Sequence, residues 1–290
     1  MVISKTVFTM KKILFPTDFS EVATNAFVHA LHLADVVDGE LVLLHTFQLP
    51  IVDSQFTPDN YYMIYESLQL AEFDTFKDEI PKLRAIAEKE GLANVKITHR
   101  LMDGDLVTTI QKAIKEENIN FVVMGTAGAT GWETFFVGTN TGSVLSAVSV
   151  PVLSVPITAT YHKIKTIGFT TKFREKDKKA LELVCSIAKK TKAQVKCLYV
   201  KTSHSDVKPE TIKEWEIHFA NEPVQFTILP LDDVQGTIID FISQKSIDVL
   251  AMVTYKRNFF VELFSPSLTR KFSDYAEIPI LALQSETTSS

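Results

Sequence analysis

Five of the ten glycines in this 290-residue chain fall between positions 125 and 142, directly after the apolar run Phe121-Val122-Val123-Met124. They read Gly125-Thr126-Ala127-Gly128, then nine residues, then Gly138-Thr139. Glycine is entropically costly in ordered backbone, so a cluster at a strand end marks a chain that turns sharply or approaches something closely. Successive main-chain N–H groups in such a turn cradle an anion, and a helix starting at the second glycine group adds its positive end. The chemistry expected is phosphate binding; the alternative is a structural tight turn with close helix–sheet packing. Asp18, in Pro16-Thr17-Asp18-Phe19-Ser20, is the second candidate. Its carboxylate can accept from a ligand hydroxyl or amine, or, like Ser20, cap the following helix. His45 reads as a core histidine rather than a catalyst, and Asp105 as a helix N-cap.

The elements that must position these residues occur twice. Ile13-Leu14-Phe15 is a short apolar strand, followed by Ala23, Ala26, Phe27, Ala30, Leu31 and Ala34 at helical spacing. Thr166-Ile167-Gly168-Phe169 and the stripe Ala180, Leu183, Val184, Ile187 repeat that unit. Second strands are expected at 41–44 and 195–200, third strands at 95–98 and 224–227, and fourth strands at 121–124 and 249–252. Pro151-Val152-Leu153 and Pro279-Ile280-Leu281 open a fifth pair. Strands that are apolar throughout and alternate with helices indicate a parallel sheet covered on both faces. The expected class is α/β, with two tandem five-stranded domains at 11–156 and 163–284, a linker at 157–162, an extension at 1–10 and a mobile tail at 285–290. The halves differ mainly between strands two and three. There the first has an insert at 47–94, helical over 61–89, which Pro81 should kink or split.

An apolar fraction of 46% with 22% charged residues is that of a globular protein, not of a disordered or membrane chain. No apolar stretch approaches a bilayer span and no secretory signal is evident at the start. Cys185 and Cys197 are the only cysteines. They are expected to be buried, reduced thiols, which fits a cytoplasmic protein. Residues 1–156 carry 11 basic and 19 acidic side chains, net −8, and residues 157–290 carry 19 and 16, net +3. Opposite signs favour docking of the halves, and neither half has the basic stripe of a nucleic-acid binder.

The strand ending in Pro16-Thr17-Asp18, the strand ending in Leu44-His45, the Gly125-x2-Gly128-x9-Gly138-Thr139 spacing and Pro151-Val152-Leu153 together resemble the universal stress proteins. The likeness is close over 11–156 and weaker over 163–284, as in the tandem two-domain form. The resemblance implies the adenine nucleotide alpha hydrolase-like fold, strand order 3-2-1-4-5, with ATP (or ADP or AMP) at the carboxyl ends of strands one and four. On that likeness Pro16, Thr17 and Asp18 lie at the adenine and ribose, and Thr46 takes the place of a valine whose backbone contacts adenine. Met124 and Gly125 close around base and ribose. Gly128, Gly138, Thr139, Asn140 and Thr141 wrap the triphosphate, which would bring Mg2+ with it. Asn120, where many members carry aspartate, is read as structural.

Aligned on Met252, the glycine positions of the second half become Val253, Lys256 and Pro266, and the aspartate position falls near Thr171. A proline has no N–H and a β-branched residue resists positive φ, so no ATP site is expected there. Gly-Lys-Ser/Thr and Ser-Gly-Gly-x-Asp loops are absent, and no residue of the first half reads as a catalyst of hydrolysis. The expected function is an ATP-binding regulatory module. A slow ATP hydrolase or phosphotransferase and a nucleotide-free scaffold are the alternatives. Pairing of the two fifth strands into a pseudo-dimer within one chain, a further homodimer and an unidentified protein partner complete the expectations.

Overall fold

A computed structural model of the chain describes residues 11–48, 58–126, 139–254 and 278–284. The first half runs β1 (Lys12–Pro16), α1 (Glu21–Val37), β2 (Glu40–Phe47), α2 (Pro58–Lys89), β3 (Ile97–Asp103), α3 (Leu106–Glu116), β4 (Phe121–Thr126), α4 (Thr139–Ala147) and β5 (Val152–Pro156). The second half follows as β6 (Thr166–Thr170), α5 (Glu175–Thr191), β7 (Gln194–Val200), α6 (Pro209–His218), β8 (Val224–Leu229), α7 (Val234–Gln244), β9 (Val249–Thr254) and β10 (Ile280–Gln284). The extension at 1–10 and the tail at 285–290 lie outside the described residues.

All strands join in one ten-stranded sheet, in the order β3-β2-β1-β4-β5-β10-β9-β6-β7-β8. Each half by itself has the order 3-2-1-4-5 with every pairing parallel. The halves meet where β5 and β10 run antiparallel, with Leu153 opposite Leu281 and Val152 opposite Ala282. That pairing makes the sheet mixed and continuous rather than two separate parallel sheets.

Both faces are covered, so the strands are apolar throughout. One face packs Phe15, Leu43, Val123, Phe169 and Val195 against α1, α2 and α5; the other packs Leu14, Val42, Val122 and Met252 against α3, α4 and α7. Burying a leucine such as Leu153 or Leu281 contributes roughly 1.5–3 kcal/mol. α2 is a single helix of 32 residues with Pro81 inside it, so the expected split does not occur. Phe76, Ile80, Leu83 and Ala87 on that helix are buried in the core. Their packing offsets the lost backbone bond at Pro81. Cys185 and Cys197 are both buried and form no disulfide, and burial pushes the Cys197 thiol up.

The entry to each half is tied in the same way. Asn120 Oδ1 accepts from the Lys11 and Lys12 N–H groups at 3.2 and 3.3 Å. Asp248 Oδ2 accepts from those of Lys165 and Thr166 at 2.6 and 2.8 Å. Asn120 is therefore structural, as its position before a strand suggested.

Residues 157–162 are strapped to both halves. The Ala159 carbonyl accepts from Asn25 Nδ2 at 3.1 Å and from His29 Nε2 at 2.9 Å. Tyr161 stacks on His32 with centroids 3.7 Å apart, and His162 Nε2 lies 2.9 Å from Asp248. His29 is only 7% exposed, and burial, reinforced by the nearby His162 and His32, holds it below its ordinary value of 6.5. The folded state thus favours neutral His29, so its contribution to stability is full above pH 6.5 and is lost as pH falls through the lowered value. Chemical denaturation midpoints are expected to drop between pH 7.5 and pH 5. The drop should be smaller for His29→Gln, which can still donate to Ala159 but does not titrate; an unchanged pH slope would contradict this assignment.

Candidate functional site

At the exit of β1 the chain is held by its neighbours. Pro16 pairs with Leu44, and the Thr17 N–H donates to the Leu44 carbonyl at 2.9 Å. His45 Nδ1 donates to the Thr17 carbonyl at 2.7 Å, and its ring lies 4.9 Å from that of Phe19. Thr17 Oγ1 accepts from the Phe19 N–H at 3.0 Å, and Phe19 sits at φ 61°. Positive φ is costly for a bulky L-residue and persists only where surrounding contacts impose it. The result is a fixed loop that carries Asp18 exposed at its tip. His45 acts as a strut of this loop and is accounted for without a catalytic role.

Asp18 Oδ1 accepts from the Ser20 N–H at 3.0 Å and the Ser20 hydroxyl at 2.6 Å. Ser20 in turn caps α1, with its Oγ accepting from Ala23 N–H at 3.2 Å. Asp18 therefore supports the cap through Ser20 and stays exposed just beyond the carboxyl end of β1. Asp105 caps α3, accepting from the Thr108 N–H at 3.0 Å, and that bond holds its carboxyl below the usual range. Its position in the chain had already suggested the cap.

The carboxyl ends of β1, β2 and β4 lie side by side, because β1 is flanked by β2 on one side and β4 on the other. This is the point where the strand order reverses, and open α/β sheets bind ligands in the crevice beyond it. Pro16, Thr17, Asp18, Thr46, Met124 and Gly125 all sit at that edge. Met124 is buried beneath it and Thr46 is half-buried. The Thr141 hydroxyl, 2% exposed, donates to the Gly125 carbonyl at 3.4 Å and so fastens the first turn of α4 over the end of β4. Thr139 and Asn140 open that helix. The first N–H groups of a helix have no intrahelical partner and favour an anion. Gly128 and Gly138 lie outside the described residues.

Gly125 has a packing reason of its own. A Cβ there would lie 2.7 Å from the Val22 carbonyl oxygen and 3.0 Å from its carbon, in the first turn of α1. The residue sits inside β4, so close helix–strand approach, not a turn, requires glycine at this position.

The second half repeats the loop with different chemistry. Thr171 N–H donates to the Leu198 carbonyl at 3.0 Å, Phe173 N–H donates to Thr171 Oγ1 at 2.8 Å, and Phe173 sits at φ 54°. Thr171 thus matches Thr17, and the residue in the place of Asp18 is Lys172, one position beyond where the sequence alignment put it. Tyr199 stands for His45, Val200 for Thr46 and Val253 for Gly125. The shared Thr-x-Phe spacing was the signal that could have fixed this alignment. Lys256 and Pro266 lie outside the described residues.

The family model described as the universal stress protein family matches residues 9–156. The chain belongs to the universal stress protein family. Among curated members, universal stress protein MJ0531 of Methanocaldococcus jannaschii is 28% identical over 145 residues, half of this chain and 81% of that protein. Universal stress protein YxiE of Bacillus subtilis is 24% identical over 144 residues, half of this chain and 97% of that protein. The fold of the whole chain matches that of a universal stress protein from Archaeoglobus fulgidus, with TM-score 0.69 at 19% identity over 96% of this chain and 100% of that one. A structure from Pseudomonas aeruginosa described as a putative universal stress protein matches at TM-score 0.60 and 13% identity over 95% and 93%. These two likenesses concern the fold alone.

For this universal stress protein, Gly125→Ala is expected to destabilise the fold by about 1–3 kcal/mol, the usual cost of overpacking. Urea unfolding followed by circular dichroism measures it, and a variant as stable as the parent would remove the packing argument.

Proposed function

We propose that this universal stress protein is an ATP-binding regulatory module that holds the nucleotide in its first half. The observation that carries the reading is the convergence of exposed Asp18, half-buried Thr46 and the first turn of α4 at the carboxyl ends of β1, β2 and β4. The residues present fit the group. A carboxylate stands where a ribose hydroxyl or the adenine amine needs an acceptor, and a helix start stands where phosphates need donors. The Gly125-x2-Gly128-x9-Gly138-Thr139 spacing supports the same ligand, with Gly128, Gly138, Thr139, Asn140 and Thr141 toward the phosphates and Met124 toward the base. Pro16 and Thr17 shape the loop that presents Asp18.

When bound, the nucleotide supplies a polyanion whose charge the helix start and glycine amides neutralise. Among the described residues no cluster of three or more His, Cys, Asp and Glu could hold a metal. Mg2+ would then arrive with the triphosphate. Occupancy would change the loop around Gly128 to Gly138 and so the surface offered to a protein partner. A cytoplasmic setting is supported by the two buried cysteines, which form no disulfide. Among the described residues no helix is long and apolar enough to cross a membrane.

Calorimetry with Mg2+-ATP tests the reading. Gly128→Val, which puts a β-branched side chain where phosphate meets backbone, is expected to weaken binding at least tenfold, about 1.4 kcal/mol. Asp18→Ala should weaken it as well, and Lys256→Ala should leave it unchanged. Loss through Lys256→Ala with Gly128→Val unaffected would assign the nucleotide to the other half. Retained ATP without sustained phosphate release is the result expected of a regulatory module; sustained release would make the protein a hydrolase.

A further inference from the structure

Both ring nitrogens of His45 face acceptors. Nδ1 lies 2.7 Å from the Thr17 carbonyl oxygen, and Nε2 lies 3.4 Å from Glu72 Oε2 on α2. A neutral imidazole carries one N–H and serves only one of the two at a time; an imidazolium carries both and serves both together. The ring packs against Phe19 and Phe76, with centroids 4.9 and 6.3 Å away. Its side chain is 12% exposed against 38% for Glu72, so the carboxylate is the outer member of the pair. Glu72 stands on the stretch of α2 that leads into the buried residues Phe76, Ile80, Leu83 and Ala87.

We propose that His45 and Glu72 form a proton-operated clasp that fastens α2 to the β1–α1 loop as pH falls through the imidazole range. With the ring neutral, the Nδ1–H holds the Thr17 carbonyl and the Nε2 lone pair faces a carboxylate. A proton taken up on Nε2 turns that repulsive contact into a charge-assisted hydrogen bond and strengthens the bond to Thr17 as well. The loop so held carries Asp18, so its stiffness follows the charge on the ring. Imidazoles ordinarily gain their second proton near pH 6.5 and carboxylates keep their charge down to about pH 4.3, so the clasp closes between these limits. The other titratable groups on the elements around the ring are Asp18 in the loop, Glu21 at the start of α1, and His99 and Asp103 on β3, whose Leu101 pairs with His45. Of these only His99 is of a type that titrates in the same range, and its ring packs against Phe76, 5.6 Å away. The second half supplies the contrast. Tyr199 stands in the place of His45, braced against Phe173 at 5.1 Å, and a phenol does not change charge in this range.

Amide hydrogen exchange of the full chain at about pH 5.5 and pH 7.5, corrected for intrinsic rates, tests the clasp. The amides of 69–75 and of Phe19 should be protected about threefold more at the lower pH, the scale of a partly exposed ion pair, while the Phe173 amide is unchanged. That rise runs against the loss of global stability expected through His29. Glu72→Gln, whose amide can donate to the neutral ring or accept from the charged one, should show the higher protection at both pH values. His45→Asn, which can keep the Thr17 bond, should show the lower protection at both, and His99→Gln should keep the parent's pH dependence. The proposal is overturned if protection does not rise on acidification, if it rises as much in Glu72→Gln as in the parent, or if His99→Gln abolishes the rise. Should His45→Asn fail to fold, Glu72→Gln, at a half-buried helix position, still decides. The clasp belongs to the free chain, so failure of ATP to bind the first half would leave this test unaffected.

Discussion

The edge of a parallel sheet is the constraint on which this molecule depends. A five-stranded unit of this kind ends in a fifth strand with one row of backbone N–H and C=O groups and no neighbour to bond them. β5 and β10 resolve that problem for each other. Their antiparallel pairing seats Leu153 and Leu281 in the core on one face, and Val152, Ile280 and Ala282 in the core on the other. The strap over α1, through Ala159 with Asn25 and His29, and the Gln284 amide bonded to the Leu145 carbonyl at 2.8 Å fasten the same junction from its flanks. Two repeats thereby become a single folded body with shared cores.

Within that body one loop frame has been used twice. A threonine hydroxyl turns the chain back, a phenylalanine takes positive φ, and a ring from the second strand braces it: His45 against Phe19, Tyr199 against Phe173. None of these contacts involves the side chain between threonine and phenylalanine. That side chain is aspartate in one half and lysine in the other, with the frame unaltered. The scaffold fixes the geometry of the loop independently of that side chain.

Much of this could be read from the residues. Apolar runs such as Leu41-Val42-Leu43-Leu44 are strands because a doubly covered sheet leaves no polar face, and the helical stripes of α1, α3, α5 and α7 fall where their spacing put them. Asp105 and Asn120 had the roles their positions suggested. What escaped depends on tertiary contact. α2 passes Pro81 because buried neighbours on the same helix outweigh one missing bond, and a local rule for proline does not see them. For Gly125 the residues left a sharp turn and a close approach open, and the Val22 backbone crossing it decides for the close approach. The Asp18 counterpart was placed near Thr171 rather than at Lys172 because matching apolar runs ignores the hydrogen bond that sets the loop. The pairing of Glu72 with His45 was invisible because α2 and β2 bring them together only in the fold.

The antiparallel seam has a geometric consequence. Reversing direction between β5 and β10 turns the carboxyl edge of one half toward one pole of the molecule and that of the other half toward the opposite pole. The two carboxyl edges face away from each other. A flat partner protein can cap one pole while the other stays open to solvent, and only a partner that wraps around the sheet can touch both.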